Sequence, residues 1–274
     1  MPELPEVETV VRSIRPLIMG KKIVTINTAP DYPRVLATHT PLQFKKQVVG
    51  QTIKAVSRRG KYIVLQMEIG FLLIHLRMTG RLLTKLGKND KLKHITATVV
   101  FKDGSNLYFK DYRKFGRLYY VDSLDYLDQR LGIEPLSEEF SRRWLISRLK
   151  TSKRKIKPLL LDQSFIAGLG NIYVDEALWA AKIHPETISN KIIRNKTIML
   201  HGAIQLILKQ SIAKNGTTII NFKFGDGEIG EFVNELKIFD RTGEPCPRCN
   251  TKIIKTRVAQ RGTYLCPRCQ KPVK

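Results

Sequence analysis

Met1-Pro2-Glu3-Leu4-Pro5-Glu6-Val7-Glu8 opens the chain and carries two readings at once. As backbone it is a helix start. Pro5 suits a first-turn position, and Glu6 and Glu8 lie near the positive helix end. Apolar residues follow at Val7, Val10, Val11, Ile14 and Leu17/Ile18. That spacing predicts a helix over 5–19, stopped at Gly20. As chemistry, loss of Met1 would leave Pro2 as a free secondary amine. Such an amine attacks electrophilic carbon and yields an iminium ion, an electron sink for eliminations. A terminal amine titrates at about 7.8, against about 10.4 for lysine, so more of it is neutral at pH 7. With Met1 attached, the same nitrogen is an amide and cannot react. Taken alone, the eight residues favour the helix start; the far end of the chain shifts the balance.

All four cysteines lie there, as Cys246-Pro-Arg-Cys249 and Cys266-Pro-Arg-Cys269 with sixteen residues between the pairs. Two such knuckles at this spacing predict a tetrahedral four-thiolate zinc site. The alternatives are two disulfides or free thiols. Disulfides are disfavoured in a cytosolic chain. So short a segment cannot bury a core of its own, so metal binding should supply its folding energy.

The 274 residues suffice for two domains, or for one large domain and a small module. A hydrophobic fraction of 42% supports a buried core and excludes a disordered basic chain. Lys and Arg number 48 against 24 acids, a net charge of +24 spread along the whole chain. That excess implies a polyanionic partner, nucleic acid first. No apolar run is long enough to span a membrane, and no signal peptide opens the chain. The expected location is the cytoplasm.

After the first helix the pattern turns to short strands, predicted at 22–27, 52–57, 62–67, 72–78, 95–101, 107–110 and 117–121. Arg59-Gly60, Ile69-Gly70 and Asp103-Gly104 mark turns between them. So many short strands in one block suggest an antiparallel sandwich or barrel. The texture then becomes helical at 141–149, 173–181 and 195–213, with a glycine-containing loop at 215–230. The order is helix, β domain, helical domain, zinc module.

Three further stretches carry information. Arg58-Arg59-Gly60-Lys61-Tyr62 is a tight turn presenting a lysine, either a solvated hairpin tip or a phosphate contact. Gly168-Leu169-Gly170-Asn171 sits between two helical patterns. It can offer backbone N–H groups and an amide to a phosphate. No strand precedes it, which excludes a dinucleotide fold. Gln260-Arg261-Gly262-Thr263-Tyr264 reads as a hairpin tip whose arginine can clamp phosphate.

Taken in order, Pro2-Glu3-Leu4-Pro5-Glu6, Leu76-Arg77-Met78-Thr79-Gly80, Asp111-Tyr112-Arg113-Lys114-Phe115-Gly116, Gly168-Leu169-Gly170-Asn171-Ile172-Tyr173 and the C-x2-C-x16-C-x2-C finger resemble the bacterial formamidopyrimidine-DNA glycosylases over the full length. Leu4, where the endonuclease VIII type usually has glycine, favours the oxidised-purine branch.

The resemblance implies an α+β, bilobed fold: an N-terminal β-sandwich with its catalytic helix, a helix-two-turn-helix domain and a zinc finger. It implies boundaries of 1–133, 134–235 and 236–274, with damaged duplex DNA in the cleft and one structural zinc on Cys246, Cys249, Cys266 and Cys269. It further implies a monomer associated with the nucleoid. The implied activity excises 8-oxoguanine and formamidopyrimidines and cuts the abasic site by β,δ-elimination. Pro2 is then the nucleophile, Glu3 the acid/base group, and Glu6 an organiser of the helix. Lys61 and Arg261 join the catalytic set by holding phosphates around the lesion. His94, Lys157 and Asn171 contact DNA. Met78, Arg113 and Phe115 fill the void left by the flipped nucleotide. Without the resemblance, Met78 and Phe115 would read as core residues. A lesion-sensing loop falls at 217–230.

Two other classes stay open on residues alone. A zinc-ribbon DNA-binding or ribosomal protein without catalysis explains the charge and the cysteines, but not Pro2-Glu3. An endonuclease VIII-like enzyme for oxidised pyrimidines is the nearer alternative.

Overall fold

The computed structural model describes residues 1–87, 91–217 and 230–272. Residues 1–129 with 214–231 form one compact unit, and residues 130–213 with 232–274 form another. No helix among the described residues is long and apolar enough to cross a membrane.

The first unit opens with helix α1, Leu4–Ile18, whose Val7, Val10, Val11, Ile14 and Ile18 are buried on one face. This is the i, i+3, i+4, i+7 stripe of an amphipathic helix. Eight strands follow: β1 (Ile23–Thr28), β2 (Ala55–Arg59), β3 (Tyr62–Gln66), β4 (Phe71–His75), β5 (Gly80–Leu83), β6 (Ile95–Phe101), β7 (Asn106–Asp111) and β8 (Arg117–Val121). They build two four-stranded antiparallel sheets, ordered β1-β6-β7-β5 and β2-β3-β4-β8. Ile26, Val99 and Phe109 from one sheet share a core with Ile63, Leu72 and Leu118 from the other and with α1. The arrangement is the antiparallel sandwich that the strand count suggests.

Several details depart from the sequence reading, among them the following. Helix α2, Pro41–Val48, was not expected, although Thr40 caps it and Gln43 completes a capping box. Strand β4 stops at His75 instead of running to 78. Arg77 adopts a left-handed backbone (φ 54°), which ends the strand and turns Met78 outward. The residues after that turn form β5, a strand the pattern did not show.

In the second unit, helices α4 (Arg142–Lys150), α5 (Ile156–Leu161), α6 (Asn171–Ala180) and α7 (Arg194–Ala213) precede a hairpin of β9 (Ile254–Val258) and β10 (Arg261–Leu265); a short helix α3 (Asp125–Asp128) belongs to the first unit. Gln163 fastens the glycine loop ahead of α6. Its amide N–H groups reach the Leu161 and Leu169 carbonyls at 2.9 and 2.8 Å, and its oxygen accepts from Gly168 N–H at 3.0 Å. Gly168 takes φ 88° there, a conformation that favours glycine.

Candidate functional site

The start of α1 is built around Glu6. One carboxylate oxygen accepts from the Glu3 backbone N–H at 2.8 Å, closing a capping box. The other accepts from Thr217 N–H, also at 2.8 Å. Glu6 thus orders the helix start, as expected, and also fastens Thr217. The lesion-sensing loop expected at 217–230 falls mostly on residues 218–229, which lie outside the described residues. Pro2 and Glu3 are buried, whereas Met1 is 48% exposed.

Lys61 is no solvated hairpin tip. Gly60 takes φ 57° in the two-residue β2–β3 loop, and Lys61 is only 5% exposed. Arg58 ties this hairpin to α1 through Glu8 at 3.2 Å, and it donates to the Gly60 carbonyl at 3.0 Å. His75 is a neighbour the sequence reading did not pick out. Burial, with the charges of Arg77 and Lys61, lowers it to about 3. It is therefore neutral at working pH, and its Nδ1 accepts from Arg77 N–H at 3.0 Å. A neutral ring beside Lys61 adds no competing cation.

Met78 and Phe115 are 42% and 46% exposed, not core residues. Arg113 lies over the Phe115 ring at 4.7 Å. His94 packs against Tyr112 at 4.5 Å, and Lys110 lies 4.9 Å from the same ring. Desolvation and the surrounding lysines lower the His94 pKa. Exposed apolar and aromatic side chains interleaved with cations form the kind of surface that wedges into a nucleic-acid stack.

The second unit carries the zinc centre. The four sulfurs lie within 4.8 Å of one another, with Cys246–Cys269 at 4.0 Å, Cys249–Cys266 at 3.4 Å and Cys249–Cys269 at 3.5 Å. Tetrahedral zinc–sulfur bonds of about 2.3 Å require sulfurs about 3.8 Å apart, whereas a disulfide requires about 2.05 Å. The residues fit zinc, whose part here is structural. Cys246 also accepts from the Trp179 indole N–H at 3.4 Å, so α6 reaches into the ribbon core. Cys249→Ser should lose zinc and weaken DNA affinity while the sandwich stays folded. Metal content, binding and thermal unfolding test this; full affinity in zinc-free protein would exclude it.

Arg261 is exposed as the first residue of β10, and the turn itself is Ala259-Gln260. Both turn residues have positive φ, 47° and 61°, which costs about 1–2 kcal/mol each for residues other than glycine. Helix α6 anchors this strained hairpin. The Asn171 amide donates to the Gly262 carbonyl at 2.9 Å, and Asp175 accepts from Tyr264 N–H at 3.1 Å. Glu176 does the same for the segment entering the ribbon, accepting from the Lys237, Ile238 and Phe239 N–H groups at 2.8–3.0 Å.

Lys157 lies at the centre of that anchor and has no exposed surface. Its ammonium reaches Asp175 at 2.6 Å, the Thr263 hydroxyl at 2.8 Å and the Gly262 carbonyl at 3.1 Å. These bonds tie Lys157 to the hairpin and to α6. Lys157→Ala strands the Asp175 carboxylate in the interior, and a loss of about 3–5 kcal/mol is expected on unfolding. A surface phosphate contact would cost within about 0.5 kcal/mol.

Three family models match successive parts of the chain. They are the formamidopyrimidine-DNA glycosylase N-terminal domain over residues 1–118, the formamidopyrimidine-DNA glycosylase H2TH domain over 131–223, and a zinc finger found in FPG and IleRS over 243–272. A formamidopyrimidine-DNA glycosylase of Pelotomaculum thermopropionicum is 42% identical, with 99% of each chain covered. One from Chloroflexus aggregans is 44% identical over 98% of each. Among solved structures, a Lactococcus lactis FPG mutant in complex with Fapy-dG containing DNA superposes with a TM-score of 0.90 at 42% identity, covering 98% of this chain and 100% of that one. A MutM complex with carbocyclic 8-oxo-G containing DNA matches at a TM-score of 0.89 and 42% identity, with the same coverage.

Proposed function

Because the chain belongs to the formamidopyrimidine-DNA glycosylase family, we propose that Pro2 and Glu3 carry its chemistry on DNA. The protein is a base-excision repair enzyme for oxidised purines, a DNA glycosylase with abasic-site lyase activity. After Met1 is removed, the Pro2 nitrogen attacks C1′ of the damaged nucleotide as the base departs. The bond formed is N–C1′ and the bond broken is the glycosidic one. Glu3 is the acid/base group beside the amine and sugar. The sugar ring then opens: the C1′–O4′ bond breaks, O4′ takes a proton through the acid/base group Glu3, and the Pro2 nitrogen becomes an iminium. That ion acidifies the C2′ proton, so that β- then δ-elimination expel the 3′ and 5′ phosphates.

The other residues serve this sequence. Lys61, Asn171 and Arg261 hold backbone phosphates, which position the duplex and carry little sequence information. Met78 and Phe115 replace the stacking lost on flipping, and Arg113 donates to the O2 and N3 acceptors of the orphaned cytosine. The exposure of Met78, Arg113 and Phe115, with Arg113 over the Phe115 ring, is the observation that supports this part. The protein works as a monomer in the cytoplasm on nucleoid DNA. Its functional division is catalytic 1–133, DNA-holding 134–235 and zinc-binding 236–274.

Single-turnover excision of 8-oxoguanine opposite cytosine, compared with thymine glycol, tests the substrate class. The oxidised purine should be the better substrate; a preference for thymine glycol would move the chain to the pyrimidine branch.

A further inference from the structure

The turn carrying Met78 and the turn carrying Arg113 and Phe115 meet on one buried carboxylate. Asp111 ends β7 opposite Gly80 and has no exposed surface. Its Oδ1 accepts from the Thr79 hydroxyl and from Arg113 N–H at 3.1 Å. Its Oδ2 accepts from Gly116 N–H at 2.7 Å. Thr79 Oγ1 also accepts from Arg113 N–H at 3.2 Å, so the two turns are joined twice. Neither turn has slack. A Cβ at Gly116 would lie 2.3 Å from the Phe109 ring and 3.1 Å from Asp111 Oδ2. One at Gly80 would lie 2.4 Å from the Leu76 carbonyl oxygen. On the outer side, Tyr32 donates to the Lys114 carbonyl and Lys114 pairs with Asp31.

We propose that Asp111 is a positioning residue that sets Met78, Arg113 and Phe115 as one rigid block, and thereby governs opposite-base choice without touching DNA. The inference rests on the reading of Arg113 given above. Wedging side chains act only if they enter the stack in a fixed relation, because flexible ones lose the entropy of ordering with each insertion. Arg113 also discriminates cytosine from adenine only while its donors are aimed. Thr79, Asp111 and the Gly116 N–H supply that aim from the interior.

The test compares single-turnover excision of 8-oxoguanine opposite cytosine and opposite adenine. Wild type should favour cytosine by about ten- to a hundredfold. Asp111→Asn keeps one acceptor but sets an N–H2 group against a backbone N–H, so that ratio should collapse toward one. Thr79→Val removes only the hydroxyl bridge and leaves the Asp111 bonds to Arg113 and Gly116, so it should lower the ratio by several-fold while the protein stays folded. In an Arg113→Ala background both substitutions should leave the ratio where Arg113→Ala alone puts it. If Arg113→Ala erodes the ratio while Thr79→Val and a folded Asp111→Asn preserve it, the block is not what aims Arg113, and the proposal is wrong. If Arg113→Ala itself keeps the full preference, the Arg113 reading fails and takes the inference with it.

Discussion

A chain that retains Met1, or that carries one residue added before Pro2, should lose borohydride trapping on abasic DNA completely and still bind that DNA. The reason is electronic. In the extended chain the Pro2 nitrogen is an amide whose lone pair is delocalised into the carbonyl, so it cannot form an iminium for borohydride to reduce. Affinity should persist because the extra residue lies at an exposed end: Met1 is 48% exposed while Pro2 and the face of α1 behind it are buried. The phosphate-binding candidates lie elsewhere, and phosphate contacts dominate affinity. The experiment pairs mass spectrometry of the N-terminus with trapping and binding. Normal trapping by protein shown to keep Met1 would falsify the assignment of Pro2.

Glu3→Gln should lower base excision by about two to four orders of magnitude, the usual worth of a positioned acid/base group. Cleavage of a preformed abasic site should suffer less, because the glycosidic bond is already broken there. Glutamine keeps the shape and acceptor of the capping box, so thermal unfolding should barely change. The split between the two steps is what matters. Small and equal losses in excision and strand cleavage would reduce Glu3 to a favourable charge at a helix end.

Much of this protein is legible along the chain because the signals are local. The stripe Val7, Val10, Val11, Ile14 and Ile18 is one helix face read directly, and it forms α1. The cysteine knuckles need only their spacing, since zinc imposes the same geometry on any chain that offers four sulfurs. The strand block from 22 to 121 is visible as alternation and turns. Its failures are also local in cause. Helix α5, Ile156–Leu161, is a short apolar run with no periodicity to distinguish helix from strand. Strand β4 ends at His75, short of the expected 78; nothing in Leu76-Arg77-Met78 announces a left-handed arginine.

The chain by itself determined the family's motifs and their order, the antiparallel β block, the opening helix with its latent amine, and the zinc site. Each depends on residues near one another in sequence or on a ligand of fixed geometry. The tertiary structure alone decided which polar and apolar side chains face water. Lys61 and Lys157 are basic residues in a strongly basic chain, yet both are buried, and Lys157 is held by groups 18, 105 and 106 residues away. Met78 and Phe115 are apolar, yet they stand exposed on two turns joined through Asp111 and Thr79, 32 residues apart. Burial is a property of the packed assembly: a side chain's solvent exposure is set by every element that closes over it, and pairings across such distances leave no periodicity for the sequence to display.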